Sequence, residues 1–220
     1  VEHHPGDFRA HWNLAVTLLG WFDDTPGAAR EMGRALEVDP RGGVFHVTAA
    51  LILLSAGDEA GAEAHAAQAA LQGQEAPLRR FRVITAMVRE DRDEVRERCE
   101  ALLAAGEPSP LQVDDRELCG SALLALGDLD AAIPILSEGV LRTTAGGPWR
   151  NRAHLGQALA TAHLLAGRPD RAREVLEGTV QAIPVEGFED PDRYLTRVNL
   201  ATHAALAGWP ELARSIRSRY

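Results

Sequence analysis

Apolar residues recur along the chain at helical spacing, interrupted at regular intervals by turn residues. In residues 12–40, WNLAVTLLGWFDDTPGAAREMGRALEVDP, positions Trp12, Ala15, Val16 and Leu19 fall at i, i+3, i+4 and i+7, one face of a first helix. Thr25-Pro26 then reads as an N-cap followed by a proline at the first helical position. Ala28, Met32 and Ala35 line a second helix, and Pro40 stops it. The small second-helix position returns as Ala28, Ala62, Val95, Ala132, Ala172 and Ala213, at intervals of 34, 33, 37, 40 and 41 residues. The turn returns as Gly57-Asp58, Gly127-Asp128, Gly167-Arg168 and Gly208-Trp209, while the first copy carries Asp23 and the third runs from Arg89 to Asp93 without a glycine. Two helices of this length bury little alone and need copies to stack against. The pattern therefore predicts an all-α, right-handed solenoid of helix pairs with no sheet. Its repeats cover roughly 9–42, 43–76, 77–110, 113–146, 149–186 and 191–220, with the helices of each pair meeting near Asp23, Gly57, Asp91, Gly127, Gly167 and Gly208.

Trp12, Ala15, Val16, Leu19, Ala28, Met32, Ala35 and Pro40 stand in the order of the tetratricopeptide repeat (TPR) pattern, and the sequence resembles that family over nearly its whole length. Asp23 departs from the pattern, standing where the family's turn glycine usually sits. The longer C-terminal repeats resemble the variants found in kinesin light chains and in some bacterial ligand-sensing regulators. The resemblance implies a protein–protein interaction scaffold that holds a peptide segment or partner helix in a concave groove lined by the first helices. The alternative it leaves open is a ligand- or peptide-sensing TPR domain of a larger bacterial regulatory protein.

The stripe facing such a groove is displaced by one residue from the core stripe. In the first three repeats it reads Asn13 and Thr17, Val47 and Leu51, Phe81 and Thr85, flanked by Trp21, Arg82 and Arg89. In the last three it reads Glu117 and Ser121, Gln157 and Thr161, Val198 and Thr202, flanked by Asn199. On this reading Val47, Leu51 and Phe81 line the inner wall rather than the core, and the N-terminal half is the partner-binding groove. Asn13 and Arg82 sit where chaperone-cofactor repeats clamp a C-terminal carboxylate, but the lysines of that clamp are absent.

Indeed the chain has no lysine at all, which removes a catalytic lysine, a Schiff base and a phosphate-loop lysine from consideration. A net charge of -9 opposes attraction to nucleic acid or to an anionic membrane surface. The apolar run 47–54 is far too short to span a bilayer and reads as a core helix. No zinc-protease, Cys-x-x-Cys, nucleophile-elbow or dinucleotide motif occurs, so neither catalysis, metal nor cofactor is expected. His3 and His4 are adjacent, and His163 and His203 hold similar places in consecutive repeats, where they could lie near each other. Cys99 and Cys119 fall on helices that should pack together, and read as free buried thiols in a reducing cytoplasm, with a disulfide between them the alternative. The charges between Arg89 and Glu100 read as the solvated side of a helix whose buried stripe is Val95, Cys99 and Leu102. Pro134 inside a helix predicts a kink or a late start, and 143–152 reads as a hinge, a loop or the lead-in to a longer helix. The first methionine is Met32, so the chain is expected to be a fragment or a processed product.

Overall fold

The computed structural model describes residues 7–106, 115–143, 149–183 and 191–217. His3 and His4 and residues 144–148 of the 143–152 stretch lie outside them. Twelve α-helices and no strand are found among the described residues. In chain order they are α1 (Phe8–Phe22), α2 (Thr25–Val38), α3 (Gly43–Ser55), α4 (Glu59–Leu71), α5 (Glu75–Val88), α6 (Arg92–Ala105), α7 (Asp115–Ala125), α8 (Leu129–Arg142), α9 (Trp149–Leu165), α10 (Pro169–Gln181), α11 (Pro191–Leu206) and α12 (Pro210–Arg217). The chain divides into two compact units, Val1–Thr85 and Ala86–Tyr220, with the division inside α5.

Each odd-numbered helix is joined to the next by the same turn. Its key residue is left-handed: Asp23 (φ 51), Gly57 (78), Glu90 (56), Gly127 (72), Gly167 (69) and Gly208 (80). In all six the left-handed residue stands five positions before the small second-helix residue, so one backbone device sets the register of every pair. In the last five turns the residue after it donates its N–H to a carbonyl five residues back: Asp58 to Leu53, Asp91 to Ala86, Asp128 to Leu123, Arg168 to His163 and Trp209 to Ala204. This closure satisfies carbonyls that a helix end otherwise leaves bare. In the first turn Asp24 reaches one residue further, to Leu18.

The same residue then caps the second helix. Asp24, Asp58, Asp91 and Asp128 each accept, through the side chain, the N–H of the residue three ahead (Gly27, Gly61, Glu94 and Ala131). Thr25 is thus the first helical residue, not the cap, and Pro26 stands one place later than the sequence suggests. Where the aspartate is missing, at Arg168 and Trp209, a proline follows directly as the first residue of the helix. Its fixed φ suits that position, and its absent N–H would have had no partner there. Asp7 caps α1, accepting from Arg9 and Ala10. Pro134 delays nothing: α8 starts at Leu129 and runs through it.

The small second-helix residue is buried in every pair. Ala28, Val95, Ala132 and Ala172 are fully buried, Ala62 and Ala213 nearly so. In the first unit Phe45 stands between Phe8 and Trp12, with ring centroids 5.3 and 5.9 Å away. The Trp12 indole N–H donates to Thr48 at 3.0 Å, tying α1 to α3. A second cluster joins α3, α4 and α5 through Val47, Ala50, Leu54, Ala66, Leu78 and Phe81. In the second unit Leu176, Leu200, Ala160 and Ala204 centre a cluster drawn from α9 to α12. Each fully buried leucine is worth about 1.5–3 kcal/mol over its exposed state.

The charged run of α6 is not simply a solvated face. Arg92 donates to the Leu126 carbonyl at 2.8 Å, and Arg96 to the Asp128 carboxylate at 2.5 Å, so two arginines of one pair hold the turn of the next. The same Asp128 caps α8, and it is buried. Val95, Cys99 and Leu102 form the buried stripe as expected.

Candidate functional site

The expected groove residues separate into two sets. Asn13, Thr17 and Trp21 are exposed on α1, where with Val16 and Gly20 they form one continuous stripe at i, i+3, i+4, i+7 and i+8. Trp21 is 74% exposed and its neighbour Phe22 70%, an unusual display for two adjacent aromatics. Arg82 and Arg89 are also exposed. The other set is core, and here the sequence reading is corrected. Val47 and Phe81 are buried in the α3–α4–α5 cluster, Leu51 packs half-buried against it, and Thr85 is buried with its hydroxyl donated to the Phe81 carbonyl at 3.0 Å. The physical cause lies in α3. Seven of its residues from Phe45 to Leu54 are buried and the stripe left open to solvent is narrow, formed by Val44, Thr48, Leu51 and Ser55, so a one-residue step from the core stripe still leaves Val47 inside the buried arc.

In the second unit the corresponding stripe is mostly polar, with Val198 its exposed apolar member. Ser121, Asn199 and Thr202 are exposed, while Glu117, Gln157 and Thr161 are half-buried. The His154 Nδ1 lies 3.1 Å from a Glu117 carboxylate oxygen, joining α9 to α7. That hydrogen bond raises the His154 pKa against the opposing effect of burial. Sequence spacing gave no sign of the pair, because the two residues lie on different repeats.

Of the remaining described histidines, His11, His46 and His65 pair across neighbouring helices. His11 Nδ1 sits 2.7 Å from Glu31, which also holds Arg34. His46 and His65 meet at 2.8 Å through their Nδ1 atoms, and the His46 Nε2 lies 3.1 Å from the Pro40 carbonyl. Since a carbonyl only accepts, His46 carries its proton on Nε2 and its Nδ1 accepts from His65 Nδ1–H. Burial, and then the neighbouring His46, lower the His65 pKa. His163 Nδ1 and His203 Nε2 are each buried without a hydrogen-bond partner, and burial lowers both pKa values. No group of three or more potential metal ligands occurs among the described residues. Cys99 and Cys119 are both free and buried; the hydrogen bond between them, with burial, pushes the Cys119 thiol up. No described helix is long and apolar enough to cross a membrane.

A cleft of about 420 Å³ opens in the second unit among α8, α9 and α10. Arg152, Leu159 and His163 of α9 reach it, with Val140 of α8 and Arg171, Glu174 and Gly178 of α10.

Six copies of one helix–turn–helix unit, with the left-handed residue and the buried small residue in constant register, decide the architecture. The chain is an all-α array of TPR-like helix pairs. No protein-family model matches its sequence, and no curated protein matches it. Among solved structures it is similar to the TPR domain of P58(IPK), with 18% identity and a TM-score of 0.41 over 96% of this chain and 58% of that one. The chain thus spans little more than half of that structure's length.

Proposed function

We propose that the chain is a protein-interaction scaffold that captures a peptide segment or a partner helix on the exposed face of α1. The observation that carries this reading is the display of Trp21 and Phe22 on a helix that also exposes Val16, Asn13 and Thr17. Exposed apolar surface edged by hydrogen-bonding side chains is the usual mark of a partner site. Tryptophan is among the residues that most often dominate binding energy. Gly20 adds no side chain to the middle of the stripe, and a Cβ there would meet nothing within 4 Å, so a partner backbone can approach closely. Asn13 supplies an amide donor and acceptor at one end. The Thr17 hydroxyl already donates to the Asn13 carbonyl at 2.8 Å and remains able to accept from a partner N–H.

Selection of a displayed random-peptide library on the immobilised chain tests the proposal. A recurrent apolar motif should enrich on the wild type, and enrichment should collapse on a Trp21→Ser, Phe22→Ser double variant whose melting temperature is unchanged. Equal enrichment on both proteins would remove α1 from the site.

A further inference from the structure

We propose that the cleft among α8, α9 and α10 binds a carboxylate carried on a small apolar body, with the Arg152 guanidinium as its counter-charge. Arg152 is half-buried, and its Nε is wholly enclosed without a hydrogen-bond partner. A guanidinium presents a planar fork of donors that matches a carboxylate, and leaving such a donor buried and unmet is costly. A second enclosed nitrogen without a partner, His163 Nδ1, lines the same cleft three helical turns along α9. Two side chains on the wall of one cleft, each with an enclosed nitrogen that lacks a partner, suit a site for a polar ligand.

The charge balance selects the ligand. Arg171 is already neutralised by Glu174 at 2.7 Å, which leaves Arg152 as the cleft's uncompensated charge. Burial, with Arg168 and Arg171 nearby, holds His163 toward its neutral form, so it offers a hydrogen bond rather than a second positive charge. One net positive charge suits a monoanion better than a phosphate dianion. Val140, Leu159 and Val175 supply the apolar part of the wall. The volume falls within the usual range for small-molecule sites, about 300–1,000 Å³. Gly178 holds the cleft open: a Cβ built on it meets nothing within 4 Å.

A free monocarboxylic acid and the C-terminus of a peptide share this chemistry, so the test carries both. The intact chain is titrated with hexanoate, acetyl-Leu-Leu, inorganic phosphate and hexylamine while the Gly178 amide and His163 ring are followed by NMR. Hexanoate or acetyl-Leu-Leu should shift both signals saturably, and the tighter of the two assigns the source. Arg152→Gln should weaken that binding about ten- to a hundredfold, the loss of one charged hydrogen bond. Gly178→Leu should block it with no fall in melting temperature, since it fills open space on a helix. Absence of saturable shifts with either carboxylate would overturn the proposal, as would binding that survives both variants. Phosphate or hexylamine binding as tightly as the carboxylates would overturn it equally.

Discussion

Replacing Glu90 by glycine should make the protein more stable, although it deletes a charged side chain and puts the poorest non-proline helix former beside a helix. Four of the six turn positions hold glycine at positive φ, and Glu90 takes the same conformation at φ 56. A side chain there crowds the following carbonyl, at about 1–2 kcal/mol. Glycine removes that strain but adds freedom to the unfolded chain, worth about 0.4–1 kcal/mol. The difference favours Glu90→Gly by about 1 kcal/mol, which for a chain of this size raises the melting temperature by about 2–4 °C. Asp23→Gly should gain less, because aspartate tolerates the left-handed region better than glutamate. The reverse change, Gly127→Glu, isolates the conformational cost, since a Cβ at Gly127 meets nothing within 4 Å. It should destabilise by a similar amount. Thermal and urea unfolding followed by far-ultraviolet circular dichroism would read all three variants. A lower melting temperature for Glu90→Gly, or an unchanged one for Gly127→Glu, would refute the reasoning.

Phe81→Ala should cost about 3–5 kcal/mol in urea unfolding, because it empties the cluster shared by α3, α4 and α5. Asp128 is held below the usual carboxylate range, chiefly by its hydrogen bond from Arg96. Its contribution is therefore complete above the unfolded value of about 4 and is lost as the pH falls through the lower folded one; Asp128→Asn should flatten the acid limb of a stability–pH curve. His65 has a folded pKa below its unfolded value, so its contribution is present above about pH 6.5 and falls away as the pH drops. Melts between neutral and mildly acid pH should show that loss, and His65→Gln should reduce it.

Much of the fold could be read before any coordinates, because its determinants are local. The interval between turn and small residue acts within a few residues, although the cap of α2 is Asp24 and not the Thr25 to which the sequence points. Even Asp23 was marked as standing in a glycine's place, and its left-handed φ gives the reason. Glu90 was less legible: the sequence pointed to Asp91, since nothing in a glutamate announces positive φ. The site was harder to read for a different reason. Whether Val47 or Phe81 faces solvent depends on which neighbours cover α3 and α5, and periodicity within one helix carries no record of those neighbours. Asn13 and Thr17 sit at equivalent steps on α1 and are exposed. Arg92, Arg96 and Arg152 were opaque in a like manner, because their partners, or the absence of partners, belong to another repeat.

The claim that function rests on the face of α1 is tested most directly by the footprint of a selected peptide on the amide and indole resonances of the chain. The account predicts saturable shifts at Asn13, Val16, Thr17, Gly20 and the Trp21 indole N–H, with the amides around Val47 and Phe81 little changed. A footprint centred instead on Ser121, Gln157 and Thr202, with α1 silent, would contradict it and move the partner site to the polar first-helix face of the second unit.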